Sequence, residues 1–297
     1  MSLNTHPTLP EFEYIRPATL AEASDFLSQR PDTARPFLGG TDVFVRMRDG
    51  FITPQFLVDV KNLDGTNDLH FDPKAGLTIG AAVNMNRVAA SADVQNYYLL
   101  LAEACRSVAS YQLRTRATIV GNICNASPAG DTIGACLVLD GILHIHGISG
   151  AREEKLSAFF LGPGKTTLKP GDIVTKIRLP IPPKDCAGKY VKLGRNQLSD
   201  LSIVGITAFG YKDSTCASGY RFRLALASVA PVPLMPKEVE NYLANNPITP
   251  DAIHEAGRLA MESCAPIDDV RGSARYRKQM VRNLSIKALT EVWKKLG

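Results

Sequence analysis

The chain has 297 residues, 45% of them hydrophobic and 21% charged, with a formal net charge of +5. That length favours two domains over one core, and the composition is that of an ordinary soluble globular protein. No apolar run reaches the roughly 18 residues of a membrane-spanning helix. The N-terminus also lacks the basic, apolar and small-residue order of a signal peptide, so the expectation is a cytoplasmic protein with no membrane span.

In chain order, Ala18 to Gln29 reads as an amphipathic helix, with Thr19 as N-cap and Glu22 as its capping-box partner. Arg35 to Gly40 closes a short strand into a glycine turn, and Gln55 to Val60 is a second strand. Leu77 to Val83 is another, a helix begins at Asn86, and Tyr97 to Val108 reads as one amphipathic helix. Arg114 to Cys124 reads as a β-like run. Ser127 and Pro128 then have the residue types of an N-cap and a first helical position, with Asp131 to Leu143 as the body. Residues 156–160 and 172–180 close the first half. Three prolines at 180, 182 and 183 forbid both helix and central strand and mark a hinge. Strands are expected over 188–193, 201–211 and 220–228, followed by two helices, which makes the second half α+β.

Three segments point to a ligand. Phe37-Leu38-Gly39-Gly40-Thr41-Asp42-Val43 runs a strand into two glycines, whose N–H groups can approach an anion closely, with the Thr41 hydroxyl beside them. Such a nest suits a pyrophosphate, and an ordinary tight turn fits it equally. Ala117 to Asp131 holds a turn at Gly121 and Asn122, then a helix start where free N–H groups favour acceptor-rich ligands. Thr118, Asn122 and Ser127 supply donors there, and Asp131 can accept from ribose or ribityl hydroxyls. A loop held by Asx and Ser turns is the plainer alternative. The third segment, Lys192 to Thr207, offers a lysine at a strand, then Arg195 and Asp200, which is either surface decoration or a cation placed over an electron-poor ring.

Taken together, Leu38-Gly39-Gly40-Thr41-Asp42, Thr118-Ile119-Val120-Gly121-Asn122 and Lys192-Leu193-Gly194-Arg195 with Asp200 resemble, in order and spacing, the FAD-binding medium subunit of the xanthine dehydrogenase and carbon monoxide dehydrogenase family. Leu77 to Val88 is similar to the family's strand between the first two. Val120 departs from the pattern, since it stands where the family often has a glycine; an extended backbone there would tolerate it.

The resemblance implies an α+β fold: a two-lobed FAD-binding domain of the vanillyl-alcohol-oxidase type over residues 1–182 and a smaller α+β C-terminal domain over 183–297. It implies non-covalent FAD, with 37–43 and Ala117, Thr118, Val120, Gly121 and Asn122 around the pyrophosphate. Ser127 would stand nearby, and Asp131 would face the ribityl or ribose hydroxyls. Ile173, Val174 and Lys192 would lie near the isoalloxazine, with Gly80 and Ala81 as softer contacts. Lys192 could then stabilise the anionic reduced ring by charge. It also implies a molybdenum-cofactor large subunit and a small subunit carrying [2Fe–2S] clusters, in a heterotrimer doubled to a hexamer. Tyr111 to Arg116 is a candidate face for the cluster subunit.

The six cysteines contain no C-x-x-C pair, so buried thiols are expected and any cluster belongs on another chain. His144 and His146 have strand spacing onto one face but no evident third ligand, which favours structural histidines. The basic stretch Arg271 to Asn283 reads as a solvated helix face or a surface for an acidic partner rather than for nucleic acid. Two rival functions stand beside the relay subunit. One is a self-sufficient flavin oxidoreductase; the other is a scaffold that has lost FAD.

Overall fold

The computed structural model describes residues 8–196 and 199–297. The first lobe is built from β1 (Glu13–Ile15), α1 (Leu20–Ser28), β2 (Ala34–Phe37), α2 (Val43–Arg48) and β3 (Phe56–Asp59). Its three strands are parallel in the order β1-β3-β2. Thr19 caps α1 by accepting the Glu22 N–H at 3.1 Å, while the Glu22 carboxylate takes the Ala18 N–H at 2.7 Å. The reciprocal cap read from the sequence is present, with its second bond one residue upstream of the standard position.

The second lobe begins with β4 (Leu69–Asp72) and β5 (Gly76–Gly80), followed by six helices: α3 (Met85–Ala90), α4 (Ala92–Tyr97), α5 (Leu99–Ser107), α6 (Tyr111–Arg114), α7 (Ile119–Asn125) and α8 (Ile133–Val138). Then come β6 (Ile142–Gly147), β7 (Gly150–Lys155), α9 (Leu156–Phe159), the small hairpin β8 (Phe160–Gly162) and β9 (Lys165–Thr166), and β10 (Ile173–Leu179). An antiparallel sheet of order β4-β5-β10-β6-β7 carries the helices. Leu143 and Ile145 alternate into its core while the residues between them face outward, the period-2 pattern of a half-buried strand.

The second half is a three-stranded meander, β11 (Ala187–Leu193), β12 (Val204–Lys212) and β13 (Tyr220–Ala227), followed by α10 (Lys237–Asn245), α11 (Pro250–Ser263) and α12 (Ala274–Leu296). Three helices follow the strands where two were expected; the short α10, buried through Val239 and Leu243, is the addition. The meander's other face joins the core of the second lobe through Tyr190, Phe209 and Ala225. Backbones approach closely there, because a Cβ on Gly188 would press on Leu100 and one on Gly134 on Thr207.

The helix read over 97–108 is present as α5, which starts at Leu99 because Tyr98 leaves helical geometry (ψ 43°). Its hydroxyl accepts the Leu77 N–H and lies 3.1 Å from the Leu179 and Pro180 carbonyls. Two local readings are corrected by the structure. The β-like run read over 114–124 is instead a turn followed by helix: residues 119–124 belong to α7, while Thr118 makes an isolated bridge with Asn84. Thr118 caps Gly121 N–H at 2.9 Å, and Ile119, Val120 and Ile123 then share one buried face, so tertiary burial overrides β-branched propensity. Ser127 and Pro128 do not start a helix. Ala126 ends α7 in the left-handed region (φ 49°), Ser127 closes a turn onto Ala129 N–H, and the next helix begins at Ile133.

The basic C-terminal stretch is only partly a solvated face. Arg277 is 2% exposed and donates to the carbonyls of Ile203 (2.9 Å) and Ser228 (3.0 Å) and to Asp269 (2.6 Å). Asp269 also accepts from Arg271, and these bonds hold its carboxyl well below the ordinary range against the opposing effect of desolvation. A depressed folded pKa stabilises above the unfolded value of about 3.9 and loses that contribution as pH falls. The stability gap between wild type and Asp269→Asn should therefore be full at pH 6 and shrink below pH 4. A gap independent of pH in thermal melts would count against the bonds of Asp269 to Arg271 and Arg277.

Candidate functional site

The loop from Leu38 to Asp42 joins β2 to α2. A Cβ on Gly39 would collide with the Arg116 carbonyl oxygen and crowd Ala117 N, so this loop rests directly on the backbone that enters α7. Gly40 takes φ +75°, which favours glycine. The Arg116–Ala117 backbone is itself held: Ala117 O accepts from Met85 N–H at 2.9 Å, and Ala117 N–H donates to Leu113 O at 2.9 Å. Two glycine-bearing segments far apart in sequence thus form one wall.

That wall lines a cleft of about 950 Å³ bounded by the first lobe, the second lobe and the 199–201 loop. Of the residues singled out in the sequence, Leu38, Gly39, Gly40, Thr41, Asp42, Val43, Ala117, Thr118, Val120, Gly121, Asn122, Ser127, Asp131, Ile173 and Val174 line it. Four do not. Phe37 is buried in a small aromatic cluster, its ring 5.2 Å from that of Phe44. Gly80 is pressed under the Thr66 carbonyl, and Ala81 is fully buried with its N–H on Thr175 O. Lys192 stands behind the wall, bonded to Asp131.

Asp131 was expected to offer its carboxylate to ligand hydroxyls. Both oxygens are instead engaged across the two halves of the chain: Oδ1 by the Tyr190 hydroxyl at 2.6 Å and Oδ2 by Lys192 Nζ at 2.8 Å. Lys192 also donates to the Ser107 carbonyl at 3.2 Å. Burial raises the Asp131 carboxyl while Lys192 pulls it back, and burial together with the Asp131 charge pushes the Tyr190 phenol well up. The ammonium of Lys192 is therefore balanced by Asp131.

The cleft's free positive charge comes from residues the motifs did not indicate. Arg35, Arg46, Lys165 and Lys169 line it without an ion-pair partner among the described residues, whereas Asp172 is paired with Arg152 and Asp200 with Arg195. Arginine and lysine are common and carry no spacing signature here, so sequence reading had nothing to hold. A positive wall with exposed loop N–H groups fits an anionic, elongated ligand such as a dinucleotide.

Val120 is helical and 1% exposed, lining the cleft with its side chain packed in the core, not extended as expected. Right-handed helical backbone suits a valine, so no positive φ is at issue. We expect Val120→Gly to lower stability by about 3 kcal/mol, from roughly 2 for the lost apolar burial and about 1 for glycine in a helix. Urea denaturation measures it, and a change below about 1 kcal/mol would contradict this packing.

Residues 10–182 match the family described as FAD binding domain in molybdopterin dehydrogenase, and residues 189–292 match the CO dehydrogenase flavoprotein C-terminal domain. The chain belongs to the molybdopterin dehydrogenase FAD-binding family. It is 29% identical over 284 residues to the carbon monoxide dehydrogenase medium chain of Hydrogenophaga pseudoflava, covering 96% of this chain and 98% of that one. It is 28% identical over 279 residues to the xanthine dehydrogenase FAD-binding subunit of Escherichia coli O157:H7, with 94% of each covered. A solved structure of carbon monoxide dehydrogenase from Hydrogenophaga pseudoflava superposes with a TM-score of 0.92 at 29% identity, over 98% of this chain and all of the matched one. As a family member the chain is the FAD-binding subunit type of a molybdenum hydroxylase, an oxidoreductase component. Among the described residues no helix is long and apolar enough to cross a membrane.

Proposed function

We propose that this chain is the electron-relay subunit of a cytoplasmic molybdenum hydroxylase, taking electrons from [2Fe–2S] clusters on a small partner subunit and passing them to an external acceptor. A large partner carrying the molybdenum cofactor would oxidise the substrate, in a heterotrimer doubled to a hexamer. The cofactor domain would span 1–182 and the C-terminal domain 183–297. The observation that carries this reading is the cleft in which the Gly39–Thr41 loop, the start of α7 and Arg35, Arg46, Lys165 and Lys169, which have no ion-pair partner among the described residues, converge. FAD, when bound, can accept electrons one at a time and release them as a pair.

The chain's own residues bind and orient. N–H groups of Gly39 and Gly40 and the Thr41 hydroxyl suit the pyrophosphate, with Arg35 or Arg46 balancing its charge. Ile173, Val174 and Val120 give the cleft an apolar wall that excludes water, and Tyr190 with Lys192 fixes Asp131 in place.

An absorption spectrum of the purified chain before and after adding FAD, followed by gel filtration, tests this. Flavin bands that co-elute, with turnover only when the partner subunits or an artificial acceptor are present, support the relay. A folded chain that retains no FAD even with its partners removes the flavoprotein reading. Turnover of an organic substrate by the chain alone would replace the relay with a self-sufficient flavin enzyme.

A further inference from the structure

Four carboxylates line the cleft: Asp42, Asp131, Asp172 and Asp200. Three are engaged by the protein itself. Asp131 accepts from Tyr190 and Lys192, and Asp172 accepts from Arg152 at 2.9 Å and from Lys169 N–H at 2.7 Å. Asp200 accepts from Arg195 N–H at 2.6 Å and from Leu201 N–H at 3.0 Å. The Asp42 side chain accepts from no described residue. It stands just before α2, where an aspartate commonly caps, yet it makes no capping bond.

The setting of Asp42 narrows what it can meet. The residue opens onto the cleft, but the walls strip enough water from its carboxyl to push it above the ordinary range, while the Arg46 charge pulls the other way without an ion-pair contact. An acceptor that has lost water and gained no donor gains most from a ligand that supplies one. A phosphate cannot, because like charges repel at close range. In an otherwise anionic dinucleotide the uncharged donors beside the pyrophosphate are the sugar hydroxyls. An acidic side chain recognises ribose by this chemistry in other dinucleotide-binding folds. Arg46, four residues on, lines the same cleft, so one turn of α2 presents a carboxylate for hydroxyls and a guanidinium for phosphate.

We propose that Asp42, in place of Asp131, accepts from the sugar hydroxyls of the bound dinucleotide, either the ribityl chain or the adenosine ribose. This rests on the FAD reading and separates the role of Asp42 from that of Gly39, Gly40 and Thr41, its neighbours at the pyrophosphate.

The test titrates FAD into the full chain, with its partner subunits where these are needed to hold the cofactor, and compares wild type with Asp42→Ala and Asp42→Asn. Asp42→Ala should weaken FAD binding about tenfold or more, as loss of a hydrogen bond to a charged group does. Asp42→Asn should weaken it less, since one acceptor oxygen remains. The melting temperature of the cofactor-free chain should hold at its wild-type value, because the side chain bonds nothing in the protein. Two FAD analogues, one deoxygenated in the ribose and one in the ribityl chain, identify the sugar. One of them should lose a similar factor on wild type and nothing further on Asp42→Ala. Unchanged or tighter FAD binding by Asp42→Ala overturns the proposal, tighter binding being what a carboxylate facing the phosphates would give. Analogue losses that add in full to that of Asp42→Ala, or no loss for either analogue on wild type, overturn it too. A wild-type chain that retains no FAD even with its partners removes the flavoprotein reading, and the role of Asp42 with it.

Discussion

Gly39→Ala should reduce FAD affinity on the order of 100-fold, about 2.7 kcal/mol, and lower stability by about 1–3 kcal/mol. The added methyl meets a backbone carbonyl, not a side chain that can swing aside: Arg116 O lies in its path, and the adjoining Ala117 is pinned through both its N–H and its carbonyl. Only separation of the two cleft walls relieves the clash, and that separation moves the Gly40 and Thr41 donors away from whatever Thr118 and Gly121 hold. FAD titration by fluorescence quenching, with a parallel melt, decides the matter. Affinity within threefold of wild type would show that the loop has slack the structure does not suggest.

Asp131→Ala should be the most destabilising single change at the cleft, by about 3–5 kcal/mol, because it leaves the largely buried Lys192 ammonium without its partner. Lys192→Met should cost less, since the stranded carboxyl can take up a proton. Asp131→Leu/Lys192→Met should recover much of the loss, as replacement of a buried pair by apolar groups often does. The sign of the pH effect follows. With its pKa raised in the folded state, Asp131 in Lys192→Met holds a proton that the unfolded chain releases near 3.9. That variant should therefore lose stability as pH rises from 4 to 7. Equal losses for both single variants and the double, with flat pH profiles, would refute a buried ion pair.

The features that were readable from sequence are those set by local chemistry. Thr19 with Glu22 announced a helix start, Gly39 and Gly40 a close approach, and the prolines at 180–183 a break. The misreadings share a different cause. The apolar run after Arg114 is rich in β-branched residues, and only burial of Ile119, Val120 and Ile123 together makes it a helix. Asp131 reads as an acceptor facing a ligand until Tyr190 and Lys192, about sixty positions away, arrive to occupy both its oxygens. Arg277 reads as surface charge because nothing nearby in sequence reveals the carbonyls of Ile203 and Ser228 that enclose it.

The contact between the two halves has a consequence for how such proteins can be rebuilt. Beyond the Asp131 pair, Glu103 on α5 accepts from both Lys189 Nζ (2.6 Å) and Tyr190 N–H (3.0 Å), and Arg223 on β13 donates to Val138 O at 2.8 Å. Phe209 and Ala225 lie in the same apolar cluster as Leu101 and Ile119. The proline hinge is thus a seam in the chain but not in the energy. A chimera joined at the hinge would inherit mismatched faces on α5 and α8, whereas one that carried those two helices along with the graft would keep the fit. Recombination among relatives should respect the packing surface and ignore the linker.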